Sequence, residues 1–166
     1  MAFRRLAGVT ALAATLMLVT AAAALADMGA GNGQTPRSAS LGFVAMSDLT
    51  GQLNYVADPL GQDAGFIAHC AGDTSFKLVT LGDGSLKIVV SATCTDHAGN
   101  TIYLKAAMVD RGEPGTNDSV CILWSTNSKT TNANSFIHDH GVILAGNIQI
   151  LDTPDLGRSG EMLSTE

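Results

Sequence analysis

Apolar residues along this chain fall in short alternating runs. Within 101–109, Ile102, Leu104, Ala106 and Met108 share one parity, and within 119–125 Val120, Ile122 and Trp124 do the same. Residues two apart on a strand share a face, so both runs predict strands with one buried side. Between them lies Asp110-Arg-Gly-Glu-Pro-Gly-Thr-Asn-Asp118. Gly112 and Gly115 accept positive φ, Pro114 fixes its own φ, and Asn117 and Asp118 can bond nearby backbone, so a turn is expected. The predicted hairpin pairs 110 with 118, Leu104 with Trp124 and Ala106 with Ile122, which makes the two apolar rows coincide at the middle of a core.

The same pattern at lower contrast marks 41–46, 52–57, 66–70, 75–81, 86–94 and 141–150 as strands. Residues 82–85 read Gly-Asp-Gly-Ser, and an Asp-Gly pair between apolar runs signals a hairpin. A two-residue turn there would set Lys77 against Val90. A one-residue bulge would instead align Phe76 and Leu78 with Ile88 and Val90, so a bulge or longer loop is expected. Residues 126–140 are polar apart from Phe136 and Ile137 and read as a long loop. Residues 27–40 read as a flexible leader and 152–166 as a flexible tail, because ordering them costs entropy that little burial would offset. Eight short strands, without a mature amphipathic helix or a repeat, predict an all-β fold. It is expected to be a single antiparallel β-sandwich or Greek-key barrel across 41–151.

Ahead of that domain, Met1-Ala-Phe-Arg-Arg5 leads into an apolar run that ends Ala24-Leu-Ala26. These are the three parts of a secretory signal. They place cleavage near Ala26 and predict a secreted protein, extracellular, cell-surface or periplasmic, with no membrane span in the mature chain. The run is long enough to cross a bilayer, but its Ala and Thr content and its small-residue ending favour cleavage. About 140 residues would remain, the size of one domain. The formal charge of −6 becomes about −8 without Arg4 and Arg5, which argues against nucleic acid as a partner.

Cys70, Cys94 and Cys121 would all enter an oxidising compartment, where an odd count leaves one thiol unpaired or pairs it between chains. If the turn at 96–100 sets 94 opposite 102, Cys94 shares a face with Leu104. Cys121 then lies on the other face beside Ala107, which disfavours a bridge between these two. Cys70 with Cys94 is the expected disulfide, since both end apolar strands and could meet at one edge. The competing reading makes all three small buried apolar residues.

Three stretches in order carry a resemblance: Leu41-Gly-Phe-Val-Ala with Gly51-Gln-Leu-Asn-Tyr-Val, then Val109-Asp-Arg-Gly-Glu-Pro-Gly-Thr-Asn-Asp118, then Leu144-Ala-Gly-Asn-Ile-Gln-Ile150. Together they resemble the post-choice-of-anchor (post-COAP) domain family of secreted bacterial proteins, over about residues 41–151. The resemblance implies an exported bacterial β domain, found alone or attached to larger surface proteins, with no established activity and no catalytic residues to transfer. Leu151 stands where that family often has His, and 126–140 is expanded.

Two clusters could carry chemistry. Asp110, Glu113, Asn117 and Asp118 offer oxygen ligands for Ca²⁺, although their spacing matches no EF-hand and the same residues are ordinary turn formers. The reading adopted is that this loop is architectural and its carboxylates are solvated. His138 and His140 alternate, so on an extended chain they would share a face and could hold a transition metal, but no third ligand is evident. His69 beside Cys70 and His97 near Cys94 make no dyad, because adjacent strand residues face opposite sides. The sequence has no nucleophile elbow, zincin or phosphate-loop motif. The expected function is therefore a non-catalytic extracellular or cell-surface binding or structural module for a cell-envelope or glycan ligand. The alternative is a secreted hydrolase or lyase with a carboxylate and His site in a β-sandwich cleft.

Overall fold

The computed structural model describes residues 27–58, 60, 63, 65–112, 114, 115 and 117–152. The expected signal sequence, the tail beyond Asp152 and Glu113 lie outside them. The described residues form ten strands: β1 (Met28–Gln34), β2 (Ser40–Met46), β3 (Gly51–Val56), β4 (Ile67–Ala71), β5 (Ser75–Thr80), β6 (Leu86–Asp96), β7 (Thr101–Asp110), β8 (Ser119–Ser125), β9 (Ile137–Val142) and β10 (Ala145–Leu151). All pair antiparallel along one path, β10-β1-β2-β3-β4-β6-β7-β8-β9, with β5 added to β6. The first half of β6 takes β5 and its last residues take β4, so β4 and β5 follow one another along one side of it. The fold is all-β as expected, but among the described residues the strands number ten rather than eight. They form one continuous curled sheet rather than two separate ones.

Register follows the apolar rows. Leu104 opposes Trp124, Ala106 opposes Ile122 and Cys94 opposes Ile102, while Phe76 opposes Val90 and Leu78 opposes Ile88. The β2–β3, β5–β6 and β6–β7 connections share one loop design, in which the residue before the closing pair is left-handed: Leu49 at φ 68°, Gly84 at 84° and Gly99 at 84°. That residue is the bulge that moves β5 and β6 one step from a two-residue hairpin. In the first two loops an Asp carboxylate accepts the N–H and hydroxyl two residues on, Asp48 from Thr50 and Asp83 from Ser85.

The leader expected at 27–40 is instead largely strand, and β1 lies between β10 and β2 with every residue paired on both sides. Its core-facing positions are glycines. A Cβ on Gly29 would lie 2.3 Å from Ile88 Cδ1, and one on Gly31 would lie 2.8 Å from both Phe43 Cε1 and the Asn147 carbonyl oxygen. The curl brings β1 so close to β2, β6 and β10 that only backbone fits, and a strand of this kind shows no hydrophobic alternation.

The loop expected at 126–140 ends early, because β9 begins at Ile137 and pairs β8. The run expected as one strand at 141–150 is therefore two. Between β9 and β10, Ile143 N–H bonds the Asp118 carbonyl while Leu144 N–H bonds the Gln34 carbonyl. Successive residues thus hand the chain from β8 to β1, across the curl of the sheet.

The core holds Trp124, Tyr55, Ile88, Leu104, Met108 and Ile122, all less than 2% exposed, and each such side chain contributes roughly 1.5–3 kcal/mol on burial. Phe66 packs edge-on to Tyr55 and Trp124 at centroid distances of 6.0 and 5.5 Å. Among the described residues no helix is long and apolar enough to cross a membrane.

Candidate functional site

At the hairpin tip between β7 and β8, Asp110 and Asp118 are engaged by backbone donors rather than left as solvated carboxylates. Gly112 and Gly115 have φ of 89° and 74°, conformations that favour glycine. Asp118 is fully buried. Its Oδ1 accepts the Arg111 N–H at 2.9 Å and its Oδ2 accepts the Ile148 N–H at 2.8 Å. Half-buried Asp110 accepts the Gly112 N–H through Oδ1 at 2.8 Å and the Ile150 N–H through Oδ2 at 2.9 Å. Ile148 and Ile150 lie on β10, whose other side pairs β1, so the two aspartates supply acceptors to the edge of β10 that faces away from β1. Exposed Asn117 accepts the Arg111 guanidinium through its carbonyl oxygen. Three of the four residues proposed for Ca²⁺ are thus placed, and the two carboxylates among them are used by backbone donors. The expectation of a solvated Asp118 is wrong because β10, thirty residues away in sequence, folds over it.

A second buried acid was not anticipated. Asp139 of β9 is fully buried; its Oδ2 accepts the Thr35 hydroxyl and, at 3.0 Å, the Tyr55 hydroxyl, and its Oδ1 accepts the Arg37 N–H at 3.1 Å. Arg37 grips Asp63 in a two-point ion pair at 2.6 and 2.9 Å, and the hydrogen bond to Asp63 raises its pKa. Burial first, and then the Asp139 charge, push the Tyr55 phenol above its ordinary range, so Tyr55 serves as a donor. The network fastens the β1–β2 turn to β3 and β9. The sequence signal was the alternation around Asp139, visible only once 137–142 is recognised as a strand.

His138 and His140 point to the outer face of β9, with rings stacked at a centroid distance of 4.5 Å. Cys121 of β8 opposes His140, and its Sγ lies 3.8 Å from His138 Nε2. Cys70 and Cys94 are disulfide-bonded, and Cys121 is the free cysteine. The bridge joins directly paired residues of β4 and β6. His69 bonds the Asn54 side chain at 2.7 Å and faces away from Cys70.

An open groove of about 530 Å³ runs between the β5–β6 and β7–β8 tips, lined by Asp83, Ser85, Asp110, Arg111 and Asn117 among others. Its charged and polar groups can meet hydroxyls or amides of a ligand, while Asp110 has both oxygens engaged. Comparison with protein-family models, with curated proteins and with solved structures finds no match.

Proposed function

We propose that this chain is an exported β module, as the resemblance to post-choice-of-anchor domains implies, and that it is non-catalytic and binds a polar extracellular ligand, a glycan or a cell-envelope component. What carries the reading is the use made of its acids. Asp110, Asp118 and Asp139 accept hydrogen bonds from Ile150, Ile148, Thr35, Arg37 and Tyr55, which makes them fastenings of the curled sheet rather than free acid–base groups. On this reading the curl is a barrel whose seam is closed by side chains. The Cys70–Cys94 bridge suits an oxidising compartment, and the groove beside Asp83 and Arg111 is the binding surface.

Asp83 and Asp110 line the same groove, the one observation that favours a hydrolase or lyase. Screening the purified protein against glycan arrays, envelope fractions and a panel of glycoside and ester substrates separates the two. Saturable binding weakened by Asp83→Ala or Arg111→Ala, without turnover, is expected. Turnover abolished by Asp83→Asn would overturn the proposal.

A further inference from the structure

Three side chains outside that groove share one patch of the outer face. β9 alternates, so His138 and His140 both point outward, and their rings already lie side by side. From β8, half-buried Cys121 sits directly across from His140 and one diagonal step from His138. The Cys121 Sγ to His138 Nε2 separation is 3.8 Å. A tetrahedral ion with metal–sulfur and metal–nitrogen bonds of roughly 2.3 and 2.05 Å requires about 3.6 Å between those two atoms. This pair therefore stands within a few tenths of an ångström of a shared ion before any ion enters.

We propose that Cys121, His138 and His140 form a binding site for a thiophilic transition-metal ion, Zn²⁺ or Cu⁺ by class. A thiolate with two imidazoles selects such ions over Ca²⁺ or Mg²⁺, which want oxygen. Among the described residues no three ligating groups already converge on one point, so His140, which is exposed, swings its ring toward the sulfur on loading. Its exposure lets that happen without disturbing the core. A groove lined by Val89, Ala107, Leu123 and Lys105 opens onto Cys121, which leaves a fourth position for water or an incoming ligand. Lys105 opposes Leu123, which in turn opposes His138, so this cation stands two strands from the imidazoles. The odd cysteine count, a puzzle from sequence, then has a use.

Titrating the tag-free protein, with the Cys70–Cys94 bridge intact and Cys121 as the free thiol, with Co²⁺ as a spectroscopic stand-in for Zn²⁺ tests the site. One Co²⁺ per chain is expected, with a thiolate-to-cobalt charge-transfer band that Zn²⁺ abolishes by displacement. Cys121→Ser should remove the band, and His138→Gln and His140→Gln should each weaken binding about tenfold or more. His69→Gln, on a different part of the outer face, should change nothing. Because His140 is exposed, its variant keeps the test decisive even if Cys121→Ser folds poorly. Absence of a one-to-one complex, a band that survives Cys121→Ser, or undiminished affinity in His140→Gln would each overturn the proposal.

Discussion

Replacing Asp118 by alanine removes two acceptors from a fully buried position and leaves the donors behind. The Ile148 N–H, at 2.8 Å, belongs to a buried residue of β10, whereas Arg111, whose N–H lies at 2.9 Å, is exposed and can turn to water. Hydrogen bonds to charged groups contribute roughly 1.5–3 kcal/mol each, and an orphaned buried donor costs about 1–3 kcal/mol. Discounting the Arg111 side for hydration, Asp118→Ala should lose about 3–4 kcal/mol. Asp118→Asn retains one acceptor oxygen and should lose about half as much. Urea unfolding of the two variants beside the parent gives these differences from midpoints at constant slope. A loss below about 1 kcal/mol for the alanine variant would refute the reasoning. A Ca²⁺-dependent rise in stability that Asp118→Ala abolishes would restore the metal reading of the loop instead.

Gly31→Ala should destabilise by about 2 kcal/mol, because its Cβ meets a backbone oxygen of β10 at 2.8 Å that cannot yield without loosening the β1–β10 pairing; chemical denaturation checks it. Leu49 is a left-handed non-glycine with φ 68°, so Leu49→Gly should stabilise by about 0.5–1 kcal/mol, read as a raised melting temperature. Asp73 is shielded with no partner for its Oδ2, and burial pushes its pKa up to about 6. The folded protein thus keeps a proton that the unfolded chain has released, so this group's contribution is greatest in acid and is lost as pH rises through about 6. After discounting for partial exposure the loss is about 1 kcal/mol. Asp73→Asn should therefore gain stability over the parent at pH 8 and not at pH 4, and a gain equal at both would refute the assignment.

Hydrophobic alternation made the β7–β8 and β5–β6 registers legible, because those strands bury large side chains on one face. It was silent on β1, whose inward positions are Gly29, Gly31 and Gly33; that strand is specified by backbone pairing on both sides and by the lack of room for anything larger. β9 was hidden for a different reason. Its inward row is Ile137 and Asp139, so the carboxylate that fastens the β1–β2 turn reads as one more polar residue in a polar stretch. The Cys70–Cys94 pairing was reachable from strand ends alone, whereas the approach of Cys121 to His138 needed β9 to exist and to lie against β8.

The role of the Asp110 to Asp118 stretch was half legible, and the missing half explains why an acidic residue stands at each end of it. The loop extends the last paired positions, Val109 and Ser119, so its two terminal aspartates flank the hairpin stem as near neighbours, roughly 5 Å apart between backbones. Edge donors on a strand repeat every second residue, roughly 6.8 Å, and the two donors they meet are Ile148 and Ile150. Short side chains with two rotatable bonds span the small mismatch, which a single acid could not do for both donors. Gly115 completes the fit, since a Cβ there would lie 2.0 Å from the Asn147 side chain on the same strand. The tip thereby caps a strand edge that would otherwise offer unpaired N–H groups to another chain. Turn composition announces that a tip exists; only the folded course of β10 shows what the tip is built to cover.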